Sequence, residues 1–211
     1  MDGPMFSELE LDALKEMMNI GFGHAAAALA EVIDMHVVLS VPKISTLAPE
    51  GIAAFVRREV AEPEAFSLVE QFFLGRFSGT SFLLLPESEC GKLVALFGDG
   101  LDSDDCAPAL DSLERETVVE IGNIIIGACV GKIAEILGDV VTYQPPRFFA
   151  GPIDDNLIVR QLRPSGGLAL VFKTVFHFDA KDVSGLIFLV TGEDSAVWLK
   201  RAVDAMLDGI A

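Results

Sequence analysis

The chain repeats itself at a fixed offset. Asp12-x3-Glu16-x2-Asn19 recurs as Glu116-x3-Glu120-x2-Asn123, each position 104 residues further on. Gly23 and Gly127 keep that offset, as do Pro42 and Pro146. So do the apolar runs Phe82 to Leu85 and Leu186 to Leu189, and the acids Glu89 and Glu193. One register held from a helix, through a strand, to a later acidic residue predicts a tandem duplication. Two such copies meet around an approximate two-fold axis and share one core. The expectation is a single domain over residues 1–211, with one repeat over about 1–104, the other over about 105–211, and a seam near Asp102 to Asp111.

Composition narrows the function classes. Apolar residues make up 51% of the 211, enough for a sizeable core, and 22% charged residues argue against a disordered chain. A net charge of −17 repels a polyphosphate backbone, which sets nucleic-acid binding aside. No run reaches the roughly 18 apolar residues of a membrane span; the longest charge-free stretch, Met17 to Ala30, is shorter. No basic flank precedes an apolar stretch at the start, so no signal peptide is expected. Cys90, Cys106 and Cys129 form no CxxC pair, which points away from a disulfide framework or zinc site and toward a reducing cytoplasm.

Both repeats read in the same order. Ser7 to Asp34 is expected to be helical, with Ser7 as N-cap and Glu10 as its capping-box partner. Asp111 to Gly138 is its counterpart, capped by Asp111 or Ser112. Strand-like stretches follow at Val37 to Val41 and Val140 to Tyr143. A turn or short helix covers Pro49 to Arg57, with a vaguer equivalent after Pro152. Ser67 to Phe77 with Ser81 to Leu85, and Leu168 to Phe178 with Gly185 to Val190, read as hairpins turning at Gly79 and at Ala180 to Asp182. Helices over Glu87 to Phe97 and Glu193 to Leu207 close the copies. The expected class is α+β, a mixed sheet with helices packed against it.

At about 100° per residue, Asp12, Glu16, Asn19 and Gly23 fall within about 60° of one another. Leu11, Leu14, Met18, Gly21 and Ala25 fall on the opposite, inward side. Glu116, Glu120, Asn123 and Gly127 repeat the exposed stripe, with Leu113, Val118, Ile121 and Ile125 supplying much of the apolar surface. Acidic residues on an exposed helix face are ordinarily solvated surface. Asn is a poor mid-helix residue, however, and finding it twice in the same setting favours a function. The two glycines either let another backbone approach closely or serve helix packing.

The pattern [Asp/Ser]-x3-Glu-x2-Asn, then 22 residues and Pro, resembles the signature of the CheC/CheX/FliY phosphatases of bacterial and archaeal chemotaxis. Asn19 to Pro42 and Asn123 to Pro146 both show that gap. Asn19-Ile20-Gly21-Phe22-Gly23-His24-Ala25-Ala26 and Leu39-Ser40-Val41-Pro42 are similar to CheC segments, and two copies of the motif match CheC, whereas CheX has one. The resemblance implies two pseudo-symmetric repeats sharing a continuous β-sheet, with two long motif-bearing helices side by side on the surface. It implies hydrolysis of the aspartyl phosphate of the response regulator CheY. Asn19 and Asn123 would orient the attacking water, and Glu16 and Glu120 would pair with the regulator's active-site lysine. The chain would need no cofactor or metal of its own, the regulator supplying Mg²⁺. Asp12 and Glu116 would support docking, as would Gly23 and Gly127. The family has Asp or Ser at the first motif position, so Glu116 is a departure, and the first site is expected to be the safer one. The receptor deamidase CheD comes into view as a further partner, and a monomer is the default state.

Other constellations are set aside. His24, His36 and His177 have no carboxylate or cysteine at ligand spacing, and Ser165-Gly166-Gly167 lacks the lysine and Ser/Thr of a P-loop. Trp198 is expected to pack on the sheet. Two further readings stand beside the phosphatase. One is a non-catalytic adaptor that binds the regulator. The other is a flagellar-switch component of the FliY kind, for which a switch domain beyond residue 211 would be expected.

Overall fold

The computed structural model describes residues 5–59, 65–97, 112–152, 169–178 and 183–210. Helix α1 spans Glu8–Ile33. Its start is fixed by the expected capping box: Ser7 Oγ accepts from the Glu10 amide at 3.3 Å, and Glu10 Oε2 accepts from the Ser7 amide at 2.6 Å. Its end is fixed by Asp34 in the left-handed region at φ 51°, with its amide bonded to the Ala30 carbonyl. Strands β1 (Val37–Leu39) and β2 (Lys43–Leu47) follow, then a 3₁₀ turn at Pro49–Gly51 and helix α2 (Ile52–Glu59). Strands β3 (Ala65–Leu74) and β4 (Gly79–Pro86) form a hairpin, and helix α3 (Glu87–Phe97) closes this half.

The second half opens with helix α4 (Ser112–Ile136), followed by β5 (Thr142–Tyr143) and β6 (Arg147–Pro152). The hairpin of β7 (Ala169–Phe178) and β8 (Val183–Thr191) leads into helix α5 (Glu193–Ile210). The class is α+β, as expected. The expected seam, Asp111 as a cap, Cys106, the segment after Pro152, the Ser165–Gly167 loop and the turn at Ala180 to Asp182 lie outside the described residues.

One eight-stranded sheet runs β1-β7-β8-β4-β3-β5, with β2 also on β7 and β6 also on β3. Every described pair is antiparallel. This corrects the expected mixed sheet: each hairpin is antiparallel by construction, and the hairpins meet through β4 and β8, with Phe82 opposite Phe188 at the centre of that register. Strands β2 and β6 were not foreseen. Each begins directly after its proline, where the residue before proline is driven to extended backbone.

Alternation along the strands builds two cores. Val69 and Phe73 of β3, with Leu170, Phe172 and Phe176 of β7, face the larger one, which α1, α3, α4 and α5 cover. Phe66 and Leu68, with Phe82, Phe188 and Val190, face the smaller one, which Ile52, Phe55 and Val56 of α2 cover. Trp198 is partly buried against the larger core. Leu113 departs from its expected inward place and is 57% exposed, because it lies in the first turn of α4, before the helix reaches the core. Helix α4, at 25 residues and with two charges tolerated in its most apolar window, meets the length and composition of a membrane span; half of that window is buried within this fold.

The offset of 104 holds between the starts of α1 and α4 and of β2 and β6, but α3 and α5 start 106 residues apart, at Glu87 and Glu193. Glu89 therefore does not share the structural place of Glu193. Its carboxylate accepts from the Ser184 amide at 3.2 Å and pairs with Lys92 at 2.8 Å, tying α3 to the start of β8.

Candidate functional site

On α1 the inward face is built from Leu14, Met18, Phe22 and Ala25, each at most 1% exposed. That fixes the rotation of the helix, and Asp12, Glu16, Asn19 and Gly23 consequently lie exposed together. On α4 the buried face is Val118, Ile121, Ile125 and Cys129, and Glu116 and Glu120 lie exposed. Asn123 and Gly127 are half-buried there, unlike their counterparts on α1. The two helices touch at a close crossing: a Cβ on Gly21 would stand 3.2 Å from Ile133 Cγ1 and 3.6 Å from Ile133 Cα.

The stripe glycines behave differently from Gly21. A Cβ on Gly23 or on Gly127 would meet nothing within 4 Å. Of the two roles open from sequence, helix packing against the described residues is thereby removed. Each glycine leaves a shallow, unfilled place beside its Glu/Asn pair.

Asp12 is bonded to Lys15 one turn on, at 2.9 Å and well exposed, a contact worth little in water. Glu16 and Glu120 have no ion pair among the described residues. Both carboxylates are thus open to an incoming cation, in a chain whose net charge of −17 favours one.

The asparagines differ. Asn19 has no side-chain hydrogen bond among the described residues. Asn123 Oδ1 accepts from Gln71 Nε2 at 2.7 Å, and the same Nε2 donates to the Gln144 carbonyl at 3.2 Å. Gln71 sits on β3, 2% exposed, and the Gln144 amide in turn donates to the Phe72 carbonyl at 3.0 Å. Tyr143 flanks this second stripe: its Oη donates to the Gly127 carbonyl at 3.2 Å, and burial pushes the phenol up to about 12. Sequence reasoning missed Gln71 and Tyr143. Neither lies on a motif helix, and only the pairing of β5 with β3 brings them there.

Cys90 and Cys129 are buried thiols with raised pKa values, Cys90 to about 11, and burial is the main cause in both. Neither is a reactive thiolate. Among the described residues no three His, Cys, Asp or Glu side chains gather as a metal site. The arrangement offers surface carboxylates and carboxamides on two adjacent helices, suited to orienting a small polar molecule against another macromolecule.

Comparison with known proteins points the same way. A family model described as the CheC-like family matches residues 9–46, the span of the first motif. The flagellar motor switch phosphatase FliY of Bacillus subtilis (strain 168) is 27% identical over 143 residues, 67% of this chain and 35% of that protein. The CheY-P phosphatase CheC of the same organism is 25% identical over 130 residues, 61% of this chain and 60% of that protein. The chain thus spans about a third of the first relative and under two thirds of the second. Among solved structures, Thermotoga maritima FliY superposes with a TM-score of 0.73 at 16% identity, over 95% of this chain and 98% of that one. The FliM middle domain of H. pylori does so at 0.58 and 9% identity, over 93% and 99%. The chain is thus similar to the CheC-like family over its first motif, to the two relatives over about two thirds of its length, and to FliY in fold.

Proposed function

We propose that the chain is a protein phosphatase that hydrolyses the aspartyl phosphate of a CheY-type response regulator in chemotaxis or two-component signalling. The carrying observation is the pair of exposed carboxylates, Glu16 and Glu120, without an ion pair among the described residues and each one turn from a carboxamide, the exposed Asn19 or the half-buried Asn123. The names of the two relatives support the reading.

The chemistry asks little of the enzyme. An acyl phosphate is already activated, so catalysis reduces to placing one water in line with phosphorus. The water oxygen attacks phosphorus as the bond to the aspartyl oxygen breaks. The regulator's carboxylate leaves, and the water's proton passes to the phosphate product. A carboxamide has both donor and acceptor and can hold that water from two sides. Glu16 and Glu120 hold the regulator by its active-site lysine, and Mg²⁺ belongs to the regulator; the chain contributes no cofactor. Asp12, Glu116, Gly23 and Gly127 shape the docking face.

The same reading takes residues 1–211 as a duplicated unit acting in the cytoplasm, with CheD as a candidate second partner. Support for the duplication comes from the exchange within the sheet. The first strands of each half pair with the hairpin of the other, β1 and β2 on β7, β5 and β6 on β3.

The test follows the decay of an Mg²⁺-bound, phosphorylated CheY-type regulator from the same genome. The chain is compared with Asn19→Ala/Asn123→Ala and Glu16→Ala/Glu120→Ala. Faster decay with wild type, lost in both double variants, is expected. Unchanged decay despite measurable binding would replace the phosphatase by the adaptor.

A further inference from the structure

The geometry points to Gln71 as a positioning residue that sets the orientation of the Asn123 carboxamide and makes the second site the preorganised one of the two. This rests on the reading of Asn123 as the water-orienting group. The Gln144 carbonyl can only accept, so the end of the Gln71 side chain facing it, 3.2 Å away, is the NH₂ end. That same NH₂ faces Asn123 at 2.7 Å, so the Asn123 atom there must be its oxygen. A backbone carbonyl thus fixes one amide, which fixes the next. Asn123 Nδ2 is turned away from Gln71, and Oδ1 takes no second hydrogen bond among the described residues.

Gln71 is an odd residue to bury for packing. Its own Oε1 is buried without a partner, a cost that an apolar side chain of the same length would avoid. Its two donor bonds are the compensation, and one of them goes to the motif asparagine.

The first site lacks the device. The Ser40 amide donates to the Val175 carbonyl as the Gln144 amide donates to that of Phe72, so the residues before them, Thr174 and Gln71, hold corresponding places. Thr174 Oγ1 does donate to the Ser40 carbonyl, at 2.6 Å. Its side chain is two atoms shorter and ends there, and the Asn19 carboxamide has no such anchor among the described residues. The sequence expectation that the first site is the safer one is reversed on this argument.

The test uses the full chain in two backgrounds. Asn19→Ala leaves the second site alone; Asn123→Ala leaves the first alone. In the Asn19→Ala chain, Gln71→Met should lower turnover at saturating phosphorylated regulator by about three- to tenfold, the worth of one oriented hydrogen bond, with half-saturation unchanged. In the Asn123→Ala chain the same substitution should change nothing, which also reports an intact fold. Side-chain amide NMR gives a readout independent of turnover. Asn123 should be ordered and Asn19 mobile, and Gln71→Met should loosen Asn123 alone. Equal losses in both backgrounds, or an Asn123 signal indifferent to Gln71→Met, would overturn the assignment of Gln71 and leave the phosphatase standing. If no form accelerates decay while Asn123 still loosens in Gln71→Met, the phosphatase reading falls, and Gln71 keeps only a structural contact.

Discussion

Gly21 and Gly23 are two residues apart on α1, yet alanine should act oppositely at them. A Cβ at Gly23 meets open space, and so does one at Gly127. Glycine in a helix interior costs about 0.5–1 kcal/mol relative to alanine, chiefly through backbone entropy. Gly23→Ala/Gly127→Ala should therefore gain about 1–2 kcal/mol. At about 2–4 °C per kcal/mol for a chain of this size, the melting temperature should rise by about 2–8 °C. A Cβ at Gly21, by contrast, stands 3.2 Å from Ile133 Cγ1 and within 3.6 Å of the Ile133 backbone. The α1–α4 crossing must open to admit it, at about 1–3 kcal/mol, which outweighs the propensity gain. Denaturant melts of the three proteins measure the signs. The decay assay then asks why two stabilising methyl groups are missing. If the stripe receives another protein's backbone, the double variant should be more stable and at least about tenfold slower, since small misplacements in a docked geometry are costly. A double variant that is less stable would refute the steric reasoning. One that is more stable and fully active would refute the docking role of the glycines.

Three further outcomes follow from buried and paired groups. The Lys200 ammonium, with the Ser7 amide, holds Glu10 down to about 2, so this carboxylate stabilises the fold above its unfolded value of 4.5, and the contribution is lost as pH falls toward 2; the melting-temperature gap between wild type and Glu10→Gln should be constant near neutrality and close over that window, and a gap independent of pH would reject it. Burial raises the Glu70 carboxyl despite Arg147 at 2.5 Å, so its ionisation destabilises the fold as pH rises above 4.5; Glu70→Gln should melt higher than wild type at neutral pH and alike near pH 4, and a lower melting point at neutral pH would show the ion pair to be net stabilising. Cys90 and Cys129 should react with a thiol reagent only after denaturation, as counted by mass; labelling of either in the folded chain would contradict their burial.

The helical parts were legible because their signals are local. Ser7 and Glu10 announce a capping box within four residues, and Leu14, Met18 and Ala25 announce the inward face by their spacing. Strands β2 and β6 were not legible. Their residues, Lys43–Leu47 and Arg147–Pro152, alternate weakly, and each strand exists through pairing with a hairpin more than 70 residues away in sequence. Pairing of that kind leaves no periodic mark. The later offset of 106 was hidden for the same reason: an apolar run such as Leu186 to Leu189 aligns about as well two residues off, and only the Phe82–Phe188 register fixes it.

The motif therefore says which side chains reach the surface, and the sheet decides how firmly each is held. Asn19 and Asn123 occupy the same motif position, but Asn123 is bonded to the glutamine on β3, whereas the threonine at the corresponding place on β7 bonds the Ser40 carbonyl instead. A helix motif constrains residues three to four apart. The support of a carboxamide comes from a strand whose place is set by exchange between the halves. Two helices that carry the same motif can then differ without any change within the motif itself, since one strand residue frees or fastens the amide. Glu116 in place of the family's Asp or Ser is a difference within the motif, yet it lies exposed and touches neither carboxamide contact. The difference between the two sites is to be sought at Gln71 and Thr174 before Glu116.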